Sequence, residues 1–277
     1  MVKIALNIII FFMTKIKFEP TTNNVGCYVF TDLKSVDKSQ LEEIKVSLNK
    51  FGVLFFKNQN LNPSEYIKFS SFFGTPAKYP MLKPHKDYKD IYVIERKKTD
   101  LGKSFGEGPH TDSSYLNSPP RYTFLQAINV PEIGKGNTMF YNQFLAYDAL
   151  PKDIKEKIED LRGVFSSQGK IAQTRVLREA EHGTSGIKEI KSEHNLVQSI
   201  DGRKTIYSSP GHIVGITDFQ SNQEELINFL STHQTNKMFS YSFAWSKGDI
   251  AVWSNRCMLH AATAFNGDRK MFRITIQ

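Results

Sequence analysis

Cysteine is scarce: Cys27 and Cys257 are the only two in 277 residues. Two thiols so far apart exclude a disulfide framework and a zinc knuckle, and they fit a reducing, cytoplasmic compartment. Long apolar runs are also missing. The longest, Ile4 to Met13, is broken by Asn7 and falls short of the roughly 20 residues a membrane-spanning helix needs. One lysine precedes it and no small-residue cleavage site follows, so it makes a poor signal peptide. Met13 opens "MTKIKFEP", an ordinary cytoplasmic beginning, and is the expected natural start, with residues 1–12 an extension ahead of it. There is no internal repeat and no low-complexity linker, so residues 13–277 are expected to form one domain. A chain of this length buries enough apolar surface to need no covalent staple.

A dense basic patch is absent too. The net charge is +8, but the basic residues are dispersed. The tightest group, Arg96-Lys97-Lys98, has no interleaved aromatic platform, which argues against a nucleic-acid partner. No membrane partner is expected either. A solvated basic surface that steers a small anionic substrate fits better. Assembly into a homo-oligomer stays open.

Periodicity supplies the elements. "SQLEEIKVSLNKFG" predicts a helix with Ser39 and Glu42 as capping box, Leu41, Ile44 and Leu48 on one face, and Gly52 as stop. "VLFFKNQ" reads as a buried strand. "NPSEYIKFSSFFG" reads as a helix with Asn62 as N-cap and Pro63 in the first turn. "DIYVIER" is a strand, and short apolar runs between Tyr122 and Tyr141 alternate with turn residues, as in antiparallel β structure. Two helices split at Pro151 follow. Residues 166–200 are polar with little periodicity and read as a long excursion, a candidate lid. "RKTIYSS", "FSYSFAWSKGDIAVWSN" and "KMFRITIQ" supply strands, and "SNQEELINFLSTHQ" a helix. The class is mostly β with added helices, a sandwich or barrel of antiparallel strands.

Two His-x-Asp pairs raise the question of a metal: His85-x-Asp87 and His110-x-Asp112. Ligands at i and i+2 of a strand share a face. Imidazole plus carboxylate suits Fe, Zn, Mn or Ni, and two histidines plus one carboxylate with open positions suit non-haem Fe(II); a third ligand is needed from His182, His194, His212, His233 or His260. After His260 come Arg269 and Arg273, spaced to hold a dicarboxylic acid beside a metal, since an arginine fork binds a carboxylate through two parallel hydrogen bonds.

The segments "HTDSSYLNSPPRYTFLQAINVPEIGKGNTMF", "AYDALP" and "GDIAVWSNRCMLHAATAFNGDRKMFRITI" resemble the TauD/TfdA family of Fe(II)/2-oxoglutarate-dependent dioxygenases. The likeness extends through "FGVLFFKNQNLNPSEYIKFSSFFG" and so covers nearly all of the chain after Met13. It implies a double-stranded β-helix (jelly-roll, cupin-like) core and makes His110, Asp112 and His260 the iron ligands and catalytic centre. It also implies that Thr138 and Arg269 hold the distal carboxylate of 2-oxoglutarate, with Arg273 at the boundary of cosubstrate and substrate. The implied cofactors are Fe(II), 2-oxoglutarate and O2, and the implied reaction is oxidation, chiefly hydroxylation, of a C–H with release of succinate and CO2. Halogenating relatives lack the carboxylate ligand, so Asp112 points to hydroxylation, desaturation or a related oxidation. Ser254 in "WSNR" replaces the family's usual Asp, and "GKGNT" departs from the usual "GGDT". The pair at His85 has no matching context and is expected to lie on a loop.

Trp253, Asn255 and Arg256 are expected to pack and to orient neighbours rather than do chemistry. Tyr79, Leu82, Phe105, Ser113, Tyr115 and Arg273 are candidates to shape the substrate pocket. Taurine dioxygenases resembling this chain carry His and Tyr where Tyr79 and Leu82 stand, so taurine is not the expected substrate. Other classes that share some of these features are a non-catalytic binding or sensor relative, a nucleic-acid-modifying 2-oxoglutarate oxygenase and a zinc hydrolase.

Overall fold

The computed structural model describes residues 16–219 and 221–277; the expected extension at residues 1–12 lies outside them. The chain enters through strands β1 (Lys17–Pro20) and β2 (Cys27–Phe30), helix α1 (Lys38–Phe51), strand β3 (Val53–Phe56) and helix α2 (Pro63–Ser71). Strand β4 (Tyr92–Arg96) leads through a long loop to β5 (Tyr122–Asn129), β6 (Thr138–Asn142), and helices α3 (Gln143–Asp148) and α4 (Lys152–Ile158). Strand β7 (Arg162–Ser166), a 3-10 turn (Lys170–Thr174) and helix α5 (Val176–His182) follow. After them run β8 (Lys191–Asn195), β9 (Val197–Ile200), β10 (Arg203–Ile206), β11 (Ile213–Ile216) and helix α6 (Gln223–Gln234). The chain closes with β12 (Ser240–Phe243), β13 (Ile250–Ser254), β14 (Met258–Ala262) and β15 (Arg269–Ile276).

Seven strands form one sheet in the order β1-β2-β3-β13-β5-β15-β4, and a smaller sheet runs β12-β6-β14. The large sheet is covered on both faces, and its sequences show why. In β3, Val53 and Phe55 join the core between the sheets, while Leu54 and Phe56 join a second core under α1 and α2. Strand β13 divides its residues the same way: Ala251 and Trp253 on one side, Ile250 and Val252 on the other. Alternation of period two with both faces buried leaves no polar face, so these strands read as continuous apolar runs. Phe55 bridges the sheets, stacking on Phe243 of β12 at 4.4 Å between ring centroids and lying 5.5 Å from Phe140 of β6. Two sheets, antiparallel except for the β2–β3 pair, face each other across one core and form the jelly-roll expected from the sequence.

The structure departs from the sequence reading at the cap of α1 and in the stretch 166–200. The capping box of α1 is Asp37 with Gln40, each side chain bonded to the other's backbone N–H, and the exposed Ser39 lies inside the helix. The apolar residues of α1 fixed its face correctly, but the S-x-x-E pattern competed with an overlapping D-x-x-Q, and the earlier pair supplies the cap. Strands β5 and β6 are antiparallel to their partners, as expected, and lie in different sheets. The stretch 166–200 is not an irregular excursion: β7 pairs with β8 in register from Arg162↔Asn195 to Ser166↔Lys191, with the 3-10 turn and α5 between them. Its strands are short and half exposed, so no periodicity marked them. Among the described residues no helix is long and apolar enough to cross a membrane.

Asp37→Ala removes a cap and should cost about 1 kcal/mol, lowering the melting temperature by roughly 2–4 °C, whereas Ser39→Ala should change stability by less than about 0.5 kcal/mol. Thermal unfolding of the two variants checks the assignment; equal losses would return the cap to Ser39.

Candidate active site between the sheets

The His-x-Asp pair sits at the end of the long loop before β5, not on a regular strand. His110 makes a single bridge to His260 of β14: His110 N–H donates to the His260 carbonyl at 3.0 Å, and His260 N–H donates back at 2.9 Å. This reciprocal pair joins residues 150 apart in sequence. Thr111 fixes the next step, its N–H donating to Ser209 Oγ and its hydroxyl to the Met258 carbonyl. Ser113, at φ 51°, then turns the chain. The side chains of His110 and Asp112 thus converge through a bridge and a turn, where the sequence suggested a strand.

His110 Nε2 and His260 Nε2 each lie 3.8 Å from Asp112 Oδ1. Among the described residues, these three form the group of His, Cys, Asp or Glu whose ligand atoms all fall within 4.8 Å of one another. Atoms at such spacings can share one ion at the roughly 2.0–2.2 Å of a nitrogen or oxygen ligand bond. His110 Nδ1 lies 2.8 Å from the Gly108 carbonyl, which places the proton there and leaves Nε2 free to ligate. The other carboxylate oxygen is held by a relay. Trp253 Nε1 donates to Asn255 Oδ1, Asn255 Nδ2 donates to Thr123 Oγ1, and Thr123 donates to Asp112 Oδ2 at 2.7 Å. Neither Asn255 nor Thr123 reaches the ion-binding atoms; they aim the carboxylate.

Burial alone would raise the Asp112 carboxyl, but the Arg273 guanidinium, then His260 and His110, outweigh it and hold it well below the usual carboxylate range. Arg273 Nη2 stands 3.0 Å from Asp112 Oδ1 without hydrogen-bond alignment. Burial pushes both ligand imidazoles down. At neutral pH the cluster is therefore one carboxylate and two neutral imidazoles, the protonation state a metal requires.

A small cavity adjoins the cluster, lined by Thr138, Leu125, Trp253, Arg269 and Arg273 among others. Arg269 and Arg273 are four apart on β15, so they share its inner face with Met271. Arg269 is 6% exposed, and its Nε and Nη2 have no hydrogen-bond partner. Burial lowers it to about 10, and no acidic group offsets that burial. The Trp245 and Phe265 rings, each 6.0 Å from the guanidinium, are its neighbours instead. A buried guanidinium without an anion is costly, and the cost is relieved when an anionic ligand arrives. Beside it, Thr138 Oγ1 accepts from Trp245 Nε1 at 3.0 Å, which leaves the Thr138 hydroxyl proton to donate elsewhere. A cavity with three ligands at one side and a free guanidinium plus a hydroxyl donor at the other suits a short diacid that chelates a metal.

The family model for the taurine catabolism dioxygenase TauD, TfdA family, matches residues 17–275. The chain belongs to the TauD/TfdA family. It is a dioxygenase that uses Fe(II), 2-oxoglutarate and O2. It is similar to an alkylsulfatase of Acinetobacter baylyi, 30% identical over 257 residues that cover 87% of this chain and 78% of the relative. It is 25% identical to an alpha-ketoglutarate-dependent 2,4-dichlorophenoxyacetate dioxygenase of Cupriavidus pinatubonensis, over 84% of this chain and 86% of that one. The crystal structure of a taurine dioxygenase from Burkholderia xenovorans superposes with a TM-score of 0.78 at 26% identity, covering 94% of this chain and 90% of the other.

In this TauD/TfdA chain, the structure brings His110, Asp112, His260, Thr138, Arg269 and Arg273 to one cavity. A second, smaller cavity shares Phe105, Gly106, His110 and Asp112 with it and adds Tyr79, Ser113 and Tyr115. Leu82 lines neither; it is packed in the core between the sheets. His85 and Asp87 stay local, Asp87 N–H donating to His85 Nδ1. The other candidate histidines have protein partners: His182 Nδ1 accepts from Lys83 N–H, His194 meets Ser192 and the Leu116 carbonyl, and His233 meets the Ala146 carbonyl. Trp253 packs 4.6 Å from His260 and lines the first cavity. Arg256 faces away from the site, bonded to Gln198 and the Ser199 carbonyl.

Two further residues line the second cavity: Arg175, which the sequence did not single out, and His212, which it offered only as a candidate metal ligand. Both lie in stretches without periodicity, and only the folded loops bring them in. Gly106 joins them: at φ 75°, its N–H donates to Thr174 Oγ1, and a side chain there would press on the His110 ring at 3.3 Å.

Burial, with His110 and Arg175 acting in the same direction, lowers His212 to about 3. The folded state thus prefers the neutral ring. Its stabilising contribution is complete above the unfolded pKa of about 6.5 and is lost as pH falls from there toward 3. Between pH 7 and 5 the metal-free protein should lose about 2 kcal/mol more stability than His212→Gln. Urea unfolding at the two pH values measures the difference; identical slopes would contradict it.

Proposed function

We propose that the protein oxidises, chiefly by hydroxylation, a C–H bond of a small anionic or zwitterionic molecule, with conversion of 2-oxoglutarate to succinate and CO2. The observation that carries this reading is the pairing of a three-ligand face with a buried, unpartnered Arg269 at the same cavity. His110, Asp112 and His260 would hold the ferrous ion, and Arg269 with Thr138 would hold the distal carboxylate of 2-oxoglutarate. When bound, the ion and the keto acid supply the oxidising chemistry through activation of O2.

The chain's own residues do the rest. Thr123, steadied by Asn255, fixes one oxygen of Asp112 so that the other faces the two imidazoles. Arg273 keeps that carboxylate ionised. Ile94, Phe105, Leu125 and Trp253 wall the first cavity with apolar surface and limit water at the reacting centre. The relatives' names, an alkylsulfatase and a phenoxyacetate dioxygenase, support an anionic small-molecule substrate. Taurine is expected to be turned over poorly, because Tyr79 and Leu82 stand where taurine dioxygenases carry His and Tyr. A cytoplasmic location accords with two free, buried thiols.

Coupled succinate release, screened over small carboxylates, sulfonates, sulfate esters and betaines, tests the reading. Arg269→Ala should raise the KM for 2-oxoglutarate about 100-fold, the loss of two charge-assisted hydrogen bonds. His110→Ala should reduce turnover to background. Unchanged 2-oxoglutarate dependence in Arg269→Ala would overturn the assignment.

A further inference from the structure

The second cavity contains a cation that the proposed chemistry does not use. Arg175 sits between the 3-10 turn and α5 and is 3% exposed. Its Nε donates to Glu179 Oε1 at 2.8 Å and its Nη2 to the Ser167 carbonyl at 2.6 Å. These two bonds fix the plane of the guanidinium. Among the described residues Nη1 has no hydrogen-bond partner, and the side chain lines the cavity beside Tyr79, Ser113 and Tyr115. The Tyr115 hydroxyl is buried there with no partner at hydrogen-bonding geometry. A free guanidinium edge and a buried phenol thus line one small space, with Tyr79 and Ser113 as the phenol's nearest polar neighbours. Arg273, the other buried cation nearby, lines the first cavity rather than the second: it stands 3.0 Å from Asp112 and lies over the Tyr79 ring at 4.6 Å.

Resting on the function proposed above, we infer that Arg175, with the Tyr115 hydroxyl, is the specificity determinant that anchors a singly charged oxyanion of the substrate. The second cavity shares His110 and Asp112 with the first but is not lined by Arg269, so a molecule anchored at Arg175 extends toward the ligand cluster from a space separate from that guanidinium. Charge supports a monoanion. With the ferrous ion and the 2-oxoglutarate dianion in place, Asp112, Glu179, Arg175, Arg269 and Arg273 leave one positive charge uncompensated. A planar guanidinium offering one edge, next to a phenol, suits a carboxylate, a sulfonate or a sulfate ester alike. The anchor is also held from behind: Arg178, one turn further along α5, is buried and paired with Asp100 and Glu181, which ties the helix to the loop after β4.

The test is calorimetric titration of the anaerobic protein, loaded with Fe(II) and 2-oxoglutarate, with hexyl sulfate, hexane-1-sulfonate, hexanoate and hexan-1-ol. At least one anion should bind the wild type about 30-fold or more tightly than the alcohol, and the three anions distinguish the headgroups. Arg175→Gln should lose at least about 20-fold in affinity for that anion while its 2-oxoglutarate and hexanol affinities stay within about threefold. Arg175→Lys should recover only part of the loss, and Tyr115→Phe should weaken the anion about fivefold without disturbing the fold. Anion binding unaffected in both Arg175→Gln and Tyr115→Phe, or anions that bind wild type no better than hexanol, would overturn the inference and leave the proposed function standing. A wild type that fails to bind 2-oxoglutarate would instead remove the function and the inference with it.

Discussion

The site hangs on a reciprocal pair of backbone hydrogen bonds between His110 and His260. Neither residue's neighbours in sequence could have placed it near the other. The pair fixes the end of a long loop against β14 of the small sheet and brings the two imidazole rings to 4.2 Å. Asp112 then needs only the Ser113 turn to complete the face. The two sheets serve this arrangement. The small sheet contributes Thr138 and His260, and the large sheet Arg269 and Arg273 on the inner face of β15. The apolar packing between the sheets, centred on Phe55, Phe140 and Phe243, sets the distance across which those groups meet.

Charge is the second organising constraint. The interior between the sheets holds three arginines, Arg175, Arg269 and Arg273, each less than a tenth exposed. Only two acidic side chains answer them directly, Asp112 for Arg273 and Glu179 for Arg175. Arg269 has aromatic rings and empty space. A protein that retains such an excess of buried positive charge retains it for ligands that bring negative charge, since the unpaired state is destabilising on its own. The arrangement puts Arg269 in one cavity and Arg175 in another, with His110 and Asp112 lining both.

Much of this was legible in the sequence, because the chemistry-bearing residues carry recognisable types at recognisable spacing. The two arginines of β15 announce themselves by an even spacing on a strand, and the helix faces of α1 and α2 by their apolar periodicity. What was not legible depends on tertiary closure. The capping box of α1 went to Asp37 rather than Ser39 because two overlapping patterns compete locally and geometry selects one. The segment 166–200 conceals β8 and α5 because its strands are short and half exposed. Arg175 is one of 36 basic residues, and nothing local separates an inward-facing arginine in a polar stretch from a solvated one. Leu82 illustrates the reverse: alignment drew it to the pocket, and the fold packs it into the core.

The account's central claim is that one metal ion and one 2-oxoglutarate meet at the face made by His110, Asp112 and His260. Anaerobic titration of the protein and Fe(II) with 2-oxoglutarate measures this directly through the visible charge-transfer absorbance of the chelate. The account predicts a band that saturates at one equivalent of each per chain and is lost in His260→Ala. A wild type that develops no band, or a His260→Ala variant that keeps it, would contradict the claim.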